Sequence, residues 1–180
     1  PEPLATNTEN NTIKVDSTFK DKNWSKNLQP WIIEYKDLKF HLETGKFKHV
    51  GIFPEQADNW DWLRQQLKNK EGAKVLNLFA YTGAATVAAA KESPEEIVHL
   101  DALKSALDSA KENVKLNQLE NQKIRYIQDD AIKFLKREIR RERHYTGIIM
   151  DPPSFGRGPK GEMWKIKEQL PELLDLAVQL

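Results

Sequence analysis

The sequence predicts an α/β protein built on a parallel, doubly wound sheet, and three observations carry that expectation. Short apolar runs at 75–79, 97–100, 124–128 and 147–150 alternate with segments of helical periodicity, the pattern of strands buried on both faces and joined by covering helices. The first run, VLNLFAYTG, ends in a tight glycine turn, and the last, IIMDPPSF, ends in Asp-Pro-Pro. Ligands of open α/β sheets sit beyond the carboxyl ends of the strands, near the point where strand order reverses, so both ends are candidate sites.

The elements follow in order. Residues 1–12 are polar, rich in Asn and Thr and contain two prolines, which predicts a disordered or extended segment reaching to about residue 30. Residues 31–54 alternate apolar and polar side chains and predict a small β-hairpin appendage, with Glu43-Thr44-Gly45-Lys46 as its turn. Trp60, Leu63 and Leu67 recur at helical spacing within 55–69, and Gly72 is positioned to close that helix. The alternating units then run strand 75–79, small-residue helix 84–91, strand 97–100 and helix 103–117. Strand 124–128, helix 131–141, strand 147–150, a glycine-rich loop at 156–161 and an amphipathic helix over 165–180 complete them. The chain begins with proline and stops in a helix just after its fourth parallel strand, so the domain over 55–180 is expected to be incomplete at its C-terminal side.

Composition narrows the classes. With 180 residues, 39% hydrophobic and 31% charged, the chain can bury one good core. No apolar run approaches the roughly 18 residues that a membrane span requires. The absence of cysteine removes disulfides, zinc–thiolate clusters and a thiol nucleophile from these residues, and is compatible with a cytoplasmic location. His41, His49, His99 and His144 are scattered and form no metal pattern. A net charge of +1 gives no global case for a polyanion. The basic run at 133–144 interleaves Glu138 and Glu142 and reads first as a solvated helix face, second as a phosphate contact.

Asn77, Phe79, Ala80, Tyr81, Thr82 and Gly83 occupy the end of the first parallel strand and its turn. Gly83 can adopt angles closed to other residues and lets a ligand approach the main chain. A lone glycine is not the GxGxxG dinucleotide fingerprint, which argues against an oxidoreductase. Asp101, 18 residues after Gly83 and followed by Ala102, stands where a carboxylate accepts ribose hydroxyls; the competing role is a helix N-cap. Asp129 and Asp130 end the next strand, where a carboxylate can accept a hydrogen from an exocyclic adenine amine; Asp130 is favoured, and capping again competes. Asp151, Pro152 and Pro153 form a rigid rim of acceptors for an amine or base, with Phe155 available to stack on a ring. The loop at 156–165 combines glycines with Arg157, Lys160 and Lys165, suited to closing on a phosphate-bearing substrate or simply to solvation.

VLNLFAYTGAATVAAAK, VHLDALKSALDSAKENVKLN, IRYIQDDAIKFL and IIMDPPSFGRGPKGEMWK, in this order and spacing, resemble motifs I to IV of bacterial class I S-adenosylmethionine (SAM)-dependent methyltransferases of the large-subunit rRNA (cytosine-5) group. HVGIFPEQADNW resembles the segment that precedes the SAM domain there, where a Gln lies near the cofactor; here that is Gln56. The resemblance runs from about Trp31 to the end of the chain. It implies a Rossmann-like class I methyltransferase sheet, of which the first four parallel strands are present. It further implies SAM with its methionine end along 79–83, its ribose at Asp101, its adenine at Asp130 and its reactive methyl facing Asp151. A nucleophilic cysteine would follow a later strand, beyond Leu180, and the substrate would be RNA, rRNA in particular. Two positions depart from the patterns: Ala57 replaces the Arg that follows the Gln, and Ser154 separates the prolines from the aromatic, which leaves carbon and nitrogen acceptors both open. A protein or small-molecule methyltransferase and a non-catalytic SAM-fold module are the alternatives. The oligomeric state stays open, a homodimer being compatible.

Overall fold

A computed structural model describes residues 4–7, 12–15, 30–43 and 50–180. The chain divides into two units, Pro1–Gln56 and Ala57–Leu180. In the first, strands β1 (Leu4–Asn7) and β2 (Thr12–Val15) pair antiparallel, within the segment expected to be disordered or extended. Strands β3 (Trp31–Tyr35) and β4 (Leu38–Leu42) form a second antiparallel pair, in register Trp31↔Leu42, Ile33↔Phe40 and Tyr35↔Leu38. The turn is Lys36-Asp37, with Lys36 left-handed at φ 54. It lies earlier than the expected turn; Thr44, Gly45 and Lys46, like Trp24, fall outside the described residues. The buried positions explain this turn: Ile33 is odd and Leu38, Phe40 and Leu42 are even, and a strand can change face without losing its pattern only across a turn.

The second unit holds the parallel sheet. Helix α1 (Ala57–Leu67) buries Trp60, Leu63 and Leu67. Its end is marked by Asn69, left-handed at φ 60, with Gly72 in the next turn. Then come β5 (Lys74–Leu78), α2 (Ala84–Ala90), β6 (Glu96–Asp101), α3 (Lys104–Leu116), β7 (Ile124–Gln128), α4 (Ala131–Arg140) and β8 (Gly147–Met150). The strands are parallel in the order β7-β6-β5-β8. The chain winds outward from β5 to β7, then crosses back to place β8 on the other side of β5, which puts the switch point at the carboxyl end of β5. Among the described residues the fold is the α/β sheet the sequence predicts.

Strand residues alternate between two apolar layers. Leu76, Leu78, Val98 and Leu100 pack with Ile132, Phe134 and Leu135 of α4 and with Leu173 of the last helix, α5 (Ile166–Ala177). Val75 and Ile97 face the other way, against Leu63 and Leu67 of α1 and Ala89 and Ala90 of α2. The small side chains of α2 let it sit close against the sheet, where Val87 to Ala90 are fully covered.

The basic run at 133–144 is not a freely solvated face. Glu138 is 1% exposed and Glu96, at the start of β6, 4%. Arg143 bonds Glu96, Arg141 and Tyr145 bond Glu138 at 2.9 and 2.7 Å, and Arg125 lies 3.6 Å from Glu96. Buried carboxylates require such partners, and this network ties the amino-terminal edge of the sheet together, opposite the strand ends that form the candidate site. Lys133, Lys136 and Arg137 pair with Glu162, Glu172 and Asp129.

The expected loop after β8 is a hairpin. Strands β9 (Phe155–Arg157) and β10 (Met163–Lys165) pair antiparallel, and Trp164 is buried in the α4 layer. The glycines that suggested mobility serve the turn: Gly161 has φ 86, and Gly158 lies so close to Glu162 that a Cβ there would meet its side chain at 2.5 Å.

Candidate cofactor site

Parallel register brings the candidate residues to one edge. Leu78 pairs with Leu100 and Met150, and Leu100 with Ile127. The next residues along these strands are Phe79, Asp101, Gln128 and Asp151. With strands spaced about 4.8 Å apart, Asp101 and Asp151 flank the switch point at roughly 10 Å from each other.

Between them the chain turns sharply through residues 79–83. Phe79, Tyr81 and Gly83 all have positive φ, at 54, 49 and 88. For the two aromatic residues this costs on the order of 1–3 kcal/mol each and persists only where the surroundings hold it. They do. Ala80 N–H donates to Leu100 O at 3.0 Å, Tyr81 N–H to Asp101 Oδ2 at 2.9 Å, and Asn113 of α3 donates to Thr82 O at 2.9 Å. The Phe79 ring lies against Trp164, with centroids 4.9 Å apart. Gly83 is required twice over: its φ suits glycine, and a Cβ would come within 2.9 Å of the Ala110 Cβ.

Beneath the turn lies a buried polar chain. Asn77 and His99 are register partners on β5 and β6, both directed toward α2. Asn77 Nδ2 donates to Thr86 Oγ1 at 3.0 Å, and Thr86 Oγ1 is 2.9 Å from His99 Nδ1. Thr86 thus links the Asn77 amide to the His99 imidazole. Burial pushes the His99 pKa down to about 4, opposed only in part by the Tyr81 backbone. Asn77, a candidate lining residue in the sequence, therefore supports the turn from below.

Asp101 joins two loops. Oδ1 accepts from Leu103 N at 2.9 Å and Oδ2 from Tyr81 N at 2.9 Å. It is not the cap of α3, whose N-cap is Leu103. Burial raises its pKa, while the N–H groups of Leu103, Tyr81 and Ala102 pull it back. A carboxylate has room for about four hydrogen bonds, so each oxygen retains acceptor capacity. A half-buried carboxylate of this kind fits a vicinal diol, whose two hydroxyls supply the donors.

Asp129 and Asp130 separate in role. Asp129 Oδ2 pairs with Arg137 at 2.6 Å and its Oδ1 accepts from Asp130 N at 2.8 Å. Asp130 is the N-cap of α4, with Oδ1 accepting from Lys133 N at 3.0 Å. Its second oxygen makes no hydrogen bond among the described residues. Asp151 is exposed at the end of β8. The Pro153 carbonyl accepts from Trp164 Nε1 at 2.6 Å and the Ser154 carbonyl from Ile166 N at 3.1 Å, so the far side of the rim is fixed to the hairpin and the last helix. Gln56 ends a 3-10 turn, Pro54–Gln56, in the first unit.

Sequence reasoning missed Thr86, Asn113 and Trp164. The signal for Asn113 was present: a polar side chain beside the apolar stripe of a helix needs a partner. Among the described residues no group of His, Asp and Glu side chains is arranged to hold a metal, and no helix is long and apolar enough to cross a membrane.

A parallel sheet with a glycine turn at the switch point and a diol-compatible carboxylate on the neighbouring strand defines a nucleoside-cofactor-binding α/β domain. Residues 12–179 match the S-adenosylmethionine-dependent methyltransferase family, and the chain belongs to it. It is 34% identical over 123 residues to Ribosomal RNA large subunit methyltransferase I of Enterobacter sp. (strain 638), covering 68% of this chain and 30% of that protein. The SAM-dependent methyltransferase from Agrobacterium tumefaciens superposes with a TM-score of 0.80 at 43% identity, over 83% of this chain and 48% of that one. The SAH complex of SMU.776 gives 0.71 at 25% identity, over 83% and 38%. The chain thus spans less than half the length of these relatives.

Two outcomes follow. Gly83→Ala is expected to lower the unfolding free energy by about 2–4 kcal/mol, from left-handed strain plus overlap, and Ala110→Gly in the same chain should recover the overlap part; urea denaturation reads both, and a Gly83→Ala chain as stable as wild type would contradict the packing. His99 has a folded pKa of about 4 against an ordinary value of 6.5. Between those values the unfolded chain holds a proton that the folded chain does not, so this contribution is complete above pH 6.5 and is lost as pH falls toward 4. Wild type should lose on the order of 3 kcal/mol more over that interval than His99→Gln; parallel pH profiles of stability would contradict it.

Proposed function

We propose that this chain binds SAM at the β5–β6 edge and contributes to methyl transfer onto a base in RNA, rRNA being the substrate suggested by its 34%-identical relative. The carrying observation is the Asp101 carboxylate, held between Tyr81 and Leu103 with acceptor capacity to spare. In this reading Asp101 and Ala102 hold the ribose, the 79–83 turn borders the methionine end, and the open oxygen of Asp130 takes the adenine amine with Asp129 as its neighbour. SAM supplies an electrophilic methyl on a sulfonium. The chain's part is orientation, which is worth several kcal/mol when nucleophile and electrophile are held in line.

Asp151 and the Pro152 carbonyl face the acceptor. If that is an amine, they accept its hydrogens and aim its lone pair. If it is a ring carbon, a thiol from outside these cysteine-free 180 residues activates it. Phe155 is 56% exposed and available to stack on the acceptor ring. A cytoplasmic site of action accords with an RNA substrate.

Tritiated methyl-SAM and a lysate from cells lacking the enzyme test this reading. Label should enter the RNA fraction, and Asp151→Ala should lower incorporation by about a hundredfold. Label confined to protein or to small molecules would refute the RNA substrate.

A further inference from the structure

We propose that the outer face of the β9–β10 hairpin binds a single-stranded stretch of RNA flanking the target base. Met163 would contact a base next to the one on Phe155, and Arg157 and Lys165 phosphates. The inference rests on the RNA reading above and adds to it a surface and the form of nucleic acid it takes.

Register defines the face. Met163 lies opposite Arg157, Trp164 opposite Gly156 and Lys165 opposite Phe155. Side chains alternate along a strand, so Gly156 and Trp164 share one face, and Phe155, Arg157, Met163 and Lys165 share the other. The inner face is committed to the protein: Trp164 is buried against Phe79 and its Nε1 donates to Pro153 O. The outer face is not. Phe155 is 56% exposed and Met163 42%, and the register sets these two on one diagonal with Arg157 and Lys165 on the other. Two large apolar side chains that the core does not use, each directly across from a cation, match an unpaired polynucleotide strand, which presents base faces and phosphates side by side. A duplex hides its base faces and cannot use the apolar pair.

Two further observations favour a binding role. Arg157 makes no ion pair among the described residues, and Lys165 pairs only with exposed Glu168 at 2.9 Å, a contact that solvent screens. The hairpin is also held in place before any ligand arrives. Glu162 accepts from Lys160 N at 2.8 Å and pairs with Lys133 of α4, which holds its carboxyl down to about 2. Gly158 N donates to Glu162 O at 2.8 Å. A rigid platform loses little conformational entropy on binding. It begins at Phe155, four residues past Asp151, so the surface continues the rim of the candidate site.

The full chain, with Arg157→Gln and Met163→Ala variants, is titrated by fluorescence anisotropy against a mixed-sequence oligoribonucleotide, single-stranded and as a duplex, over a range of salt. SAM affinity is measured in parallel by calorimetry. Each variant should weaken single-strand binding by about tenfold while SAM affinity holds. Arg157→Gln should also lower the salt slope by about 0.7, and the duplex should bind more weakly than the single strand. Variants that bind and methylate RNA like wild type, or a duplex that binds as well as the single strand, would overturn the platform and leave the RNA reading intact. A wild-type chain that binds SAM but no RNA, or that methylates peptide instead, would overturn both.

Discussion

The carboxylate of Asp101 is the interaction on which the candidate site depends. One oxygen takes the Tyr81 amide and the other the Leu103 amide, so a single side chain at the end of β6 fixes the turn after β5 and the entry to α3. Those two loops form the walls of the crevice at the switch point. Burying a carboxylate is unfavourable unless donors surround it. Burial raises the pKa of Asp101 in spite of three backbone N–H groups that pull it back. A ligand carrying paired hydroxyls restores what burial removed.

Strain and support are balanced around the same turn. Left-handed Phe79 and Tyr81 would relax if left alone. Leu100 and Asp101 hold the turn from β6, Asn113 from α3 and Trp164 from the hairpin, while Asn77, Thr86 and His99 fill the space below it. These groups come from β5, β6, α2, α3 and β10, so those elements must come together before the turn can hold its shape. Folding and site formation are thus one event in this unit. The ion-pair network at the opposite edge, built on Glu96 and Glu138, secures the sheet where no ligand would.

Much of this was legible in the sequence. The four parallel strands were, because short runs rich in apolar residues alternate with longer segments of helical periodicity. Asp101 was legible through its distance from Gly83. Other features depend on contacts between distant residues. Nothing local in IVHL tells whether His99 is buried neutral or exposed, since Thr86 and Asn77 decide it. GRGPKGEMWK looked like a flexible cationic loop because its order comes from Lys133 and Phe79, far away in sequence. The hairpin turn at Lys36-Asp37 went unread for another reason: its sign is a change in the parity of the buried positions, not a glycine. Asp129 and Asp130 were indistinguishable by position, and separate only because Arg137 reaches one of them while α4 uses the other as its cap.

The most direct test of the central claim is calorimetric titration of SAM into the full chain and into Asp101→Ala, with folding of each checked by its unfolding transition. The account predicts binding by the wild type and a loss of at least about tenfold in affinity for a folded Asp101→Ala chain, the scale of a charge-assisted hydrogen-bond pair. Undiminished SAM affinity in the folded variant would contradict it, and the crevice beside Asp101 would then not be the cofactor site.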